Sequence, residues 1–291
     1  MPDWMKGTME MVRLFSIICA GLILLSSGLC FAEDGKADRQ LVRTLMQKSG
    51  LSKQVEQIPA TMQADIVRAS LESDNPLSQG EIDDLSRKTA EAFNASILKD
   101  TVETYILGNL SEKDIRMVLA WVDSPLGEKI SRLEEEASTP AAYQKIQKMA
   151  AKKIKKTKRS ELLSKLDDAI KATDAGVNIA VNMQVAFLLA VTAEMPADQR
   201  LSVEDILSEV NKDRTQLRQT IERETMAGFL YAYQSLTDSE IKKYILFAES
   251  EPGKKYHAVS AKGLNTALMQ AGLALGSKFE QGASNDGKGS F

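Results

Sequence analysis

Two stretches of this 291-residue chain repeat one pattern 126 positions apart. They are LSEKDIRMVLAWVDSPLGEKI (110–130) and LTDSEIKKYILFAESEPGKKY (236–256). Apolar residues recur at positions 115, 118, 119 and 122, which is the spacing of one face of a helix, and the same spacing recurs from position 241. Upstream matches at the same offset are Tyr105 with Tyr231 and Gly50 with Gly176. The agreement indicates an internal duplication of a helical unit.

A Ser-Pro step predicts a helix corner at the end of the repeated helix. Pro125 has no amide hydrogen and disfavours helical geometry at Ser124, so the preceding helix should end there. Proline is favoured as the first residue of a helix and serine as its N-cap, so a new helix should begin at the same place. Gly127 would let a neighbouring backbone approach. The corresponding residues of the second copy are Ser250, Pro252 and Gly253.

This motif resembles the bacterial domain-of-unknown-function family numbered 2059, in which an aromatic-centred helix runs into Ser-Pro-x-Gly-x-Lys. The first copy matches through LSEKD, Trp121, Ser124, Pro125, Gly127 and Lys129, and the second through Phe247, Ser250, Gly253 and Lys255. The first copy departs at Trp121-Val122, where the family prefers Phe-Tyr, and the second at Ala248 and the displaced proline. The resemblance implies an exported, all-helical bacterial protein and implies no particular activity.

The N-terminal segment, residues 1–32, has the features of a signal peptide. Arg13 precedes an apolar run, and Cys30 and Ala32 occupy the −3 and −1 positions of a signal-peptidase site. We therefore predict a periplasmic or secreted protein. The alternative is an uncleaved inner-membrane anchor over residues 12–32, which is just long enough to span a bilayer. Both cysteines of the chain lie in this segment, so the mature chain is predicted to have no disulfide.

The whole chain has the composition of a helical globular protein. Hydrophobic residues make up 43% and charged residues 26%, while aromatic residues make up only 5%. No alternating run indicates a strand. We predict an all-α fold of two homologous helical bundles in tandem after the signal segment. The predicted ranges are helical repeat one (38–150), a basic linker (151–160), helical repeat two (161–276) and a disordered tail (277–291).

Charge and motifs exclude several classes of partner. The formal net charge is −3, so no global field attracts nucleic acid. The run KKIKKTKR (152–159) is strongly basic but lacks interleaved aromatic residues, and we interpret it as a solvated linker face. Anionic lipid, lipopolysaccharide and nucleic acid are the alternative contacts. There is no glycine-rich phosphate loop. We predict no nucleic-acid partner and contact with a membrane only through an uncleaved leader or this linker.

Few residues are candidates for chemistry. Asp123 and Glu249 each precede a corner serine, and paired carboxylates can hydrolyse glycans, although an acid there also favours the next helix through its dipole. His257 is the only histidine, its counterpart is Ser131, and we expect it to be exposed or partly buried. One histidine without a mature cysteine cannot form a typical zinc site. We predict no catalytic residue, metal or cofactor.

The leading functional hypothesis is a non-enzymatic interaction module in the bacterial envelope. Each copy would present an apolar face to a protein, peptide or lipid-like partner. The candidate binding residues are Trp121 and Phe247 as aromatic anchors, with Lys129 and Lys255 as cations at the rim. The alternatives are an envelope hydrolase that uses Ser124 or the paired carboxylates, and a structural protein that forms homo-oligomers.

Overall fold

The computed structural model describes residues 37–72, 77–193 and 200–286, and its regular structure in these ranges consists of helices without a β-strand. The all-α prediction is therefore confirmed for this part of the chain. The predicted signal peptide, with both cysteines, lies outside the described residues.

Seven helices lie before the basic linker and six after it within the described ranges. The first group is α1 (Arg39–Lys48), α2 (Leu51–Glu72), α3 (Gln79–Ala92), α4 (Ala95–Asn109), α5 (Glu112–Val122), α6 (Pro125–Ala137) and α7 (Pro140–Ala150). The second group is α8 (Lys158–Ile170), α9 (Ala172–Ala193), α10 (Val203–Lys212), α11 (Arg214–Ala232), α12 (Asp238–Glu249) and α13 (Glu251–Asp286). Since α13 continues to Asp286, most of the segment predicted as a tail (277–291) is helical, and its last five residues lie outside the described part.

The helix corners have the same geometry in both halves. The Ser124 hydroxyl donates to the Trp121 carbonyl (2.6 Å) and accepts from the Gly127 amide (3.1 Å). The Ser250 hydroxyl likewise donates to the Phe247 carbonyl (2.6 Å) and accepts from the Gly253 amide (3.2 Å). Pro125 is the first residue of α6, while Pro252 is the second residue of α13.

The turns between the first two helices of each half do not follow the 126-residue offset. Gly50 has a φ of 77° at the α1–α2 turn, and the α8–α9 turn is formed by Lys171, with a φ of 57°. Gly176, which the sequence comparison pairs with Gly50, is buried inside α9. The two turns are therefore 121 positions apart, and the second half gains its extra residues between α9 and α12.

The hydrophobic cores do not follow the sequence boundary at the linker. The first core combines α1–α5 with α9, α10 and most of α13, and includes Leu45, Ile115, Phe187 and Leu268. The second combines α6 with α8, α11 and α12, and includes Ile130 with Phe229. Because the chain crosses to the other half at each corner, the ranges 38–150 and 161–276 are not two separately packed bundles.

Arg159, at the end of the basic run, attaches the linker to the second half. α7 ends at Ala150, and residues 151–157 are not helical. Arg159 donates to the carbonyls of Tyr233 (2.6 Å) and Leu236 (2.7 Å) and pairs with Asp238 (2.6 Å), so it binds the α11–α12 connection. The lysines of the run are exposed.

No helix of the described ranges combines the length and hydropathy of a membrane span. The most apolar candidate, the segment 177–195 of the sequence, lies mainly in α9 and packs in the first core.

Candidate functional site

The two predicted aromatic anchors contact each other. Trp121 of α5 and Phe247 of α12 stack with their ring centroids 4.6 Å apart and their planes 6° apart. Both rings are partly buried against the two cores. The stack therefore joins equivalent positions of the two halves, and neither ring projects freely from its own half.

The two predicted rim cations also cross between the halves. Lys129 Nζ lies 2.7 Å from Glu240 Oε1, and Lys255 Nζ lies 3.3 Å from Asp114 Oδ1. Each lysine reaches the acid at the start of the other half's repeated helix, so the two ion pairs are reciprocal. The Lys129 bond, with the capping bonds from Thr237, lowers the pKa of Glu240 to about 2. The lysines connect the halves around the aromatic stack.

The residues considered for a hydrolase are either committed to other contacts or exposed to solvent. Both hydrogen bonds of the Ser124 hydroxyl are used in the helix corner. Asp123 pairs with Lys48 (2.6 Å), and Glu249 is exposed. In the ranges that the structure describes, no group of three or more His, Cys, Asp or Glu side chains could hold a metal ion.

The prediction for His257 is wrong, because the side chain is only 2% exposed. Its ring lies among Tyr256, Tyr244 and Phe247, with centroid distances of 5.3, 6.2 and 6.0 Å. Neither ring nitrogen has a hydrogen-bond partner. Burial lowers the pKa of His257 to about 3, so the ring is neutral at physiological pH.

A cavity of about 100 Å³ lies between α2, α6, α7, α11 and the α8–α9 turn, and we call it the Glu134 cavity. It is formed by helices from both halves. Its polar lining residues are Gln54, Gln57, Thr61, Glu134, Ser138, Tyr143, Gln147, Glu224 and Tyr233. Its other lining residues are Ile58, Ala137, Ile146, Ile170, Ala172, Gly228, Phe229 and Ala232.

Glu134 is held by two tyrosines. The Tyr233 hydroxyl donates to its Oε1 atom at 2.7 Å, and the Tyr244 hydroxyl donates to the same atom at 3.1 Å. Burial raises the pKa of Glu134 to about 7, although these hydrogen bonds act in the opposite direction. The carboxyl group is therefore far less acidic than an exposed glutamate, a property typical of groups that exchange protons or recognise a cation.

The position of Glu134 in the sequence indicates that it is buried, but the two glutamates that follow it suggest an exposed surface. Gly127, Ile130 and Ser131 are the buried residues of α6, and position 134 continues their stripe at i+7, i+4 and i+3. In the sequence, Glu134 begins a run of three glutamates that resembles a solvated surface. Glu135 does pair with a surface lysine, Lys53, at 2.8 Å. The burial of Glu134 could have been predicted from its spacing to the buried residues of α6.

Other polar groups of the cavity are also withdrawn from water. Gln54 is 5% exposed and Glu224 is 4% exposed. The Nε2 atom of Gln147 is buried and has no hydrogen-bond partner. Buried polar groups usually have partners, so an amide donor of this kind beside a cavity is available to a water molecule or a ligand there.

Packing explains why space remains on this side of the molecule. Ala137 and Ile146 of α6 and α7 are matched, 126 positions later, by Gly263 and Gly272 of the unbroken α13. A Cβ atom at Gly263 would lie 3.2 Å from the Tyr105 Cβ, and one at Gly272 would lie 3.1 Å from a backbone oxygen of α9. α13 therefore packs closely against α4 and α9. The larger residues and the break between α6 and α7 prevent the same approach around the cavity.

Comparison of the chain with protein-family models, curated proteins and solved structures found no match.

Proposed function

We propose that this protein binds a small polar molecule in the Glu134 cavity. The observation that supports this most strongly is that four polar residues of the lining have leucine at the position 126 residues away in the other half. Leucine is the ordinary choice for packing helices. Polar groups kept at such positions at the expense of stability are typical of a binding site.

The equivalent positions, 126 residues away, are mostly apolar. Glu134, Ser138, Gln147, Glu224 and Tyr233 correspond to Ser260, Leu264, Leu273, Leu98 and Leu107. Leu98 and Leu264 are fully buried in the first core. Leu107 is partly buried and Leu273 is 38% exposed, so the leucines fill the other side at two of the four positions.

We also infer that the two halves arose by duplication and exchange their corner helices. The reciprocal pairs Lys129–Glu240 and Lys255–Asp114, with the stack of Trp121 and Phe247, have the pattern of a symmetric dimer interface, in which residue i contacts j and j contacts i. On this interpretation the predicted binding residues hold the halves together around the cavity. They support the ligand site without contacting the ligand.

The setting of this function stays a prediction from the sequence. The signal segment and the resemblance to the domain-of-unknown-function family favour a binding protein of the bacterial envelope. The volume of the cavity favours a small molecule over the peptide or lipid-like partner first considered. Against the hydrolase alternative, the Ser124 hydroxyl makes both of its hydrogen bonds within the helix corner.

Native mass spectrometry of the protein purified from its own envelope tests the proposal. We expect a small-molecule adduct that dissociates on denaturation. A double variant, Ser138→Leu with Glu224→Leu, introduces the leucines of the other side and should lose the adduct. Its thermal unfolding should remain cooperative, which shows that the variant still folds.

A matched control is Ser208→Leu, which adds a leucine at an exposed position of α10 and should keep the adduct. The proposal fails if the original protein carries no adduct. It also fails if the double variant folds and retains the adduct.

A further inference from the structure

The charged groups that line the Glu134 cavity are all acidic. Glu134 and Glu224 are the charged residues of the lining within the described ranges, and the other polar groups are amides and hydroxyls. Nearby cations have partners elsewhere: Lys53 pairs with Glu135 at 2.8 Å, and Arg159 binds the α11–α12 connection. An anionic ligand would therefore meet like charge without a balancing cation.

We propose that the ligand is a small primary amine, bound as its ammonium ion against the cavity carboxylates; this inference rests on the proposed function. An ammonium group has three donors and no acceptor, which matches carboxylate and amide oxygens. The stacked rings of Phe229 and Tyr233, with centroids 5.6 Å apart, form an aromatic wall beside them, and such faces attract cations.

The rest of the lining restricts the carbon skeleton. Ile58, Ile146 and Ile170 supply apolar walls for a short alkyl chain. The buried Gln147 amide donor suits an acceptor, such as a hydroxyl group, at the far end of the ligand. The cavity holds about 100 Å³, and a cavity of about 150 Å³ is enough for benzene, so the ligand is a short amine or amino alcohol.

Binding of a cation should release a proton from the site. The titratable groups that face Glu134 are Tyr233 and Tyr244, with Tyr256 behind them and Glu224 across the lining. The tyrosine pKa values are raised by burial, so these hydroxyls remain protonated. Because the pKa of Glu134 is about 7, an ammonium ion that requires its carboxylate should release up to about half a proton at pH 7.

Isothermal titration of the full chain with four probes of equal length tests the class of ligand. The probes are 1,4-diaminobutane, 4-amino-1-butanol, 1,4-butanediol and succinate. We expect both amines to bind at least tenfold more tightly than the diol, and succinate to bind least. Between pH 8 and pH 6, amine affinity should fall about tenfold, as the ionised fraction of a group with a pKa near 7 falls.

Glu134→Gln should reduce amine affinity at least tenfold at pH 8 and remove its pH dependence. Glu136→Gln, two residues further along α6 and paired with Arg132 on the surface, should change neither. Equal or tighter binding of the diol or of succinate would overturn the amine assignment and leave the binding function standing. If none of the probes binds, the mass of the native adduct decides: a ligand without an amine overturns the assignment, and the lack of any adduct overturns the proposed function itself.

Discussion

At the scale of single residues, the main feature is a carboxyl group kept where ionisation is costly. The pKa of Glu134 is raised from 4.5 to about 7 by burial. Between these values the folded state binds more protons than the unfolded state, so the free energy of unfolding falls as pH rises. The difference corresponds to a loss of up to about 3 kcal/mol above pH 7. A residue that reduces stability under working conditions needs a function to explain its presence.

Glu134→Gln should therefore stabilise the protein at alkaline pH. The amide retains an oxygen that can accept from Tyr233 and has no ionisation cost. We expect the free energy of unfolding to rise by about 1–3 kcal/mol at pH 8 and to change little at pH 4.5, where the glutamate is protonated in the folded state. Urea unfolding at a series of pH values, followed by circular dichroism, measures both.

The variant should also expose the opposite titration of His257. The pKa of this buried ring is lowered to about 3, so the folded state binds fewer protons than the unfolded state between about pH 3 and 6.5. In Glu134→Gln, stability should consequently rise with pH across this window.

Unchanged stability of Glu134→Gln at pH 8 relative to the original protein would contradict the burial of an ionised carboxylate.

At the scale of helices, the two corners depend on glycine because the backbone of the preceding helix is close. A Cβ atom at Gly127 would lie 2.1 Å from the Trp121 carbonyl oxygen, and one at Gly253 would lie 2.0 Å from the Phe247 carbonyl oxygen. Both oxygens also accept the hydrogen bond of the corner serine. The backbone therefore has to move before either position can hold a side chain.

Gly127→Ala and Gly253→Ala should each destabilise the protein by about 3 kcal/mol, the upper range for overpacking. Gly108→Ala in α4 is the matched control, because a Cβ atom there meets nothing within 4 Å. This control should be neutral or stabilising by up to about 1 kcal/mol, the ordinary helix preference of alanine. Urea midpoints at constant slope provide the comparison, and equal midpoints for the three variants would refute the role of the corner glycines.

Local sequence chemistry was sufficient to predict the helices but not their partners. The Ser78 and Thr237 caps and the buried stripe of α5 follow from residue spacing. The crossing of α6 to the second half does not, because its apolar face has the same pattern whichever half it covers. The cavity could not be predicted from the sequence either. It depends on how closely the helices that carry Ile146 and Gly272 approach neighbours more than 30 positions away in the chain.

At the scale of the whole molecule, the halves are held mainly by their shared cores. The ion pairs of Lys129 and Lys255 are partly exposed, and pairs of this kind contribute about 0–1 kcal/mol each. The stack of Trp121 on Phe247 adds about 0.5–1.5 kcal/mol beyond the area it buries. These contacts fix the register of the halves, while the burial of α6 and α13 in opposite cores supplies most of the attraction.

Cleavage of the linker tests this arrangement directly. A protease site inserted between the exposed residues Lys155 and Lys156 should be cut without separating the halves, because both cores cross the cut. We expect the nicked protein to elute as one particle from a sizing column, with unchanged circular dichroism and one unfolding transition.

After separation in urea, residues 1–155 alone should fail to recover a cooperative transition, because α6 and α7 would lack the helices of the second half. Mixing the separated pieces should restore it. The uncut insertion variant controls for the added residues. Two pieces that separate without denaturant and unfold independently would show that each half has a sufficient core of its own, and the cavity between them would then lose its walls on cleavage.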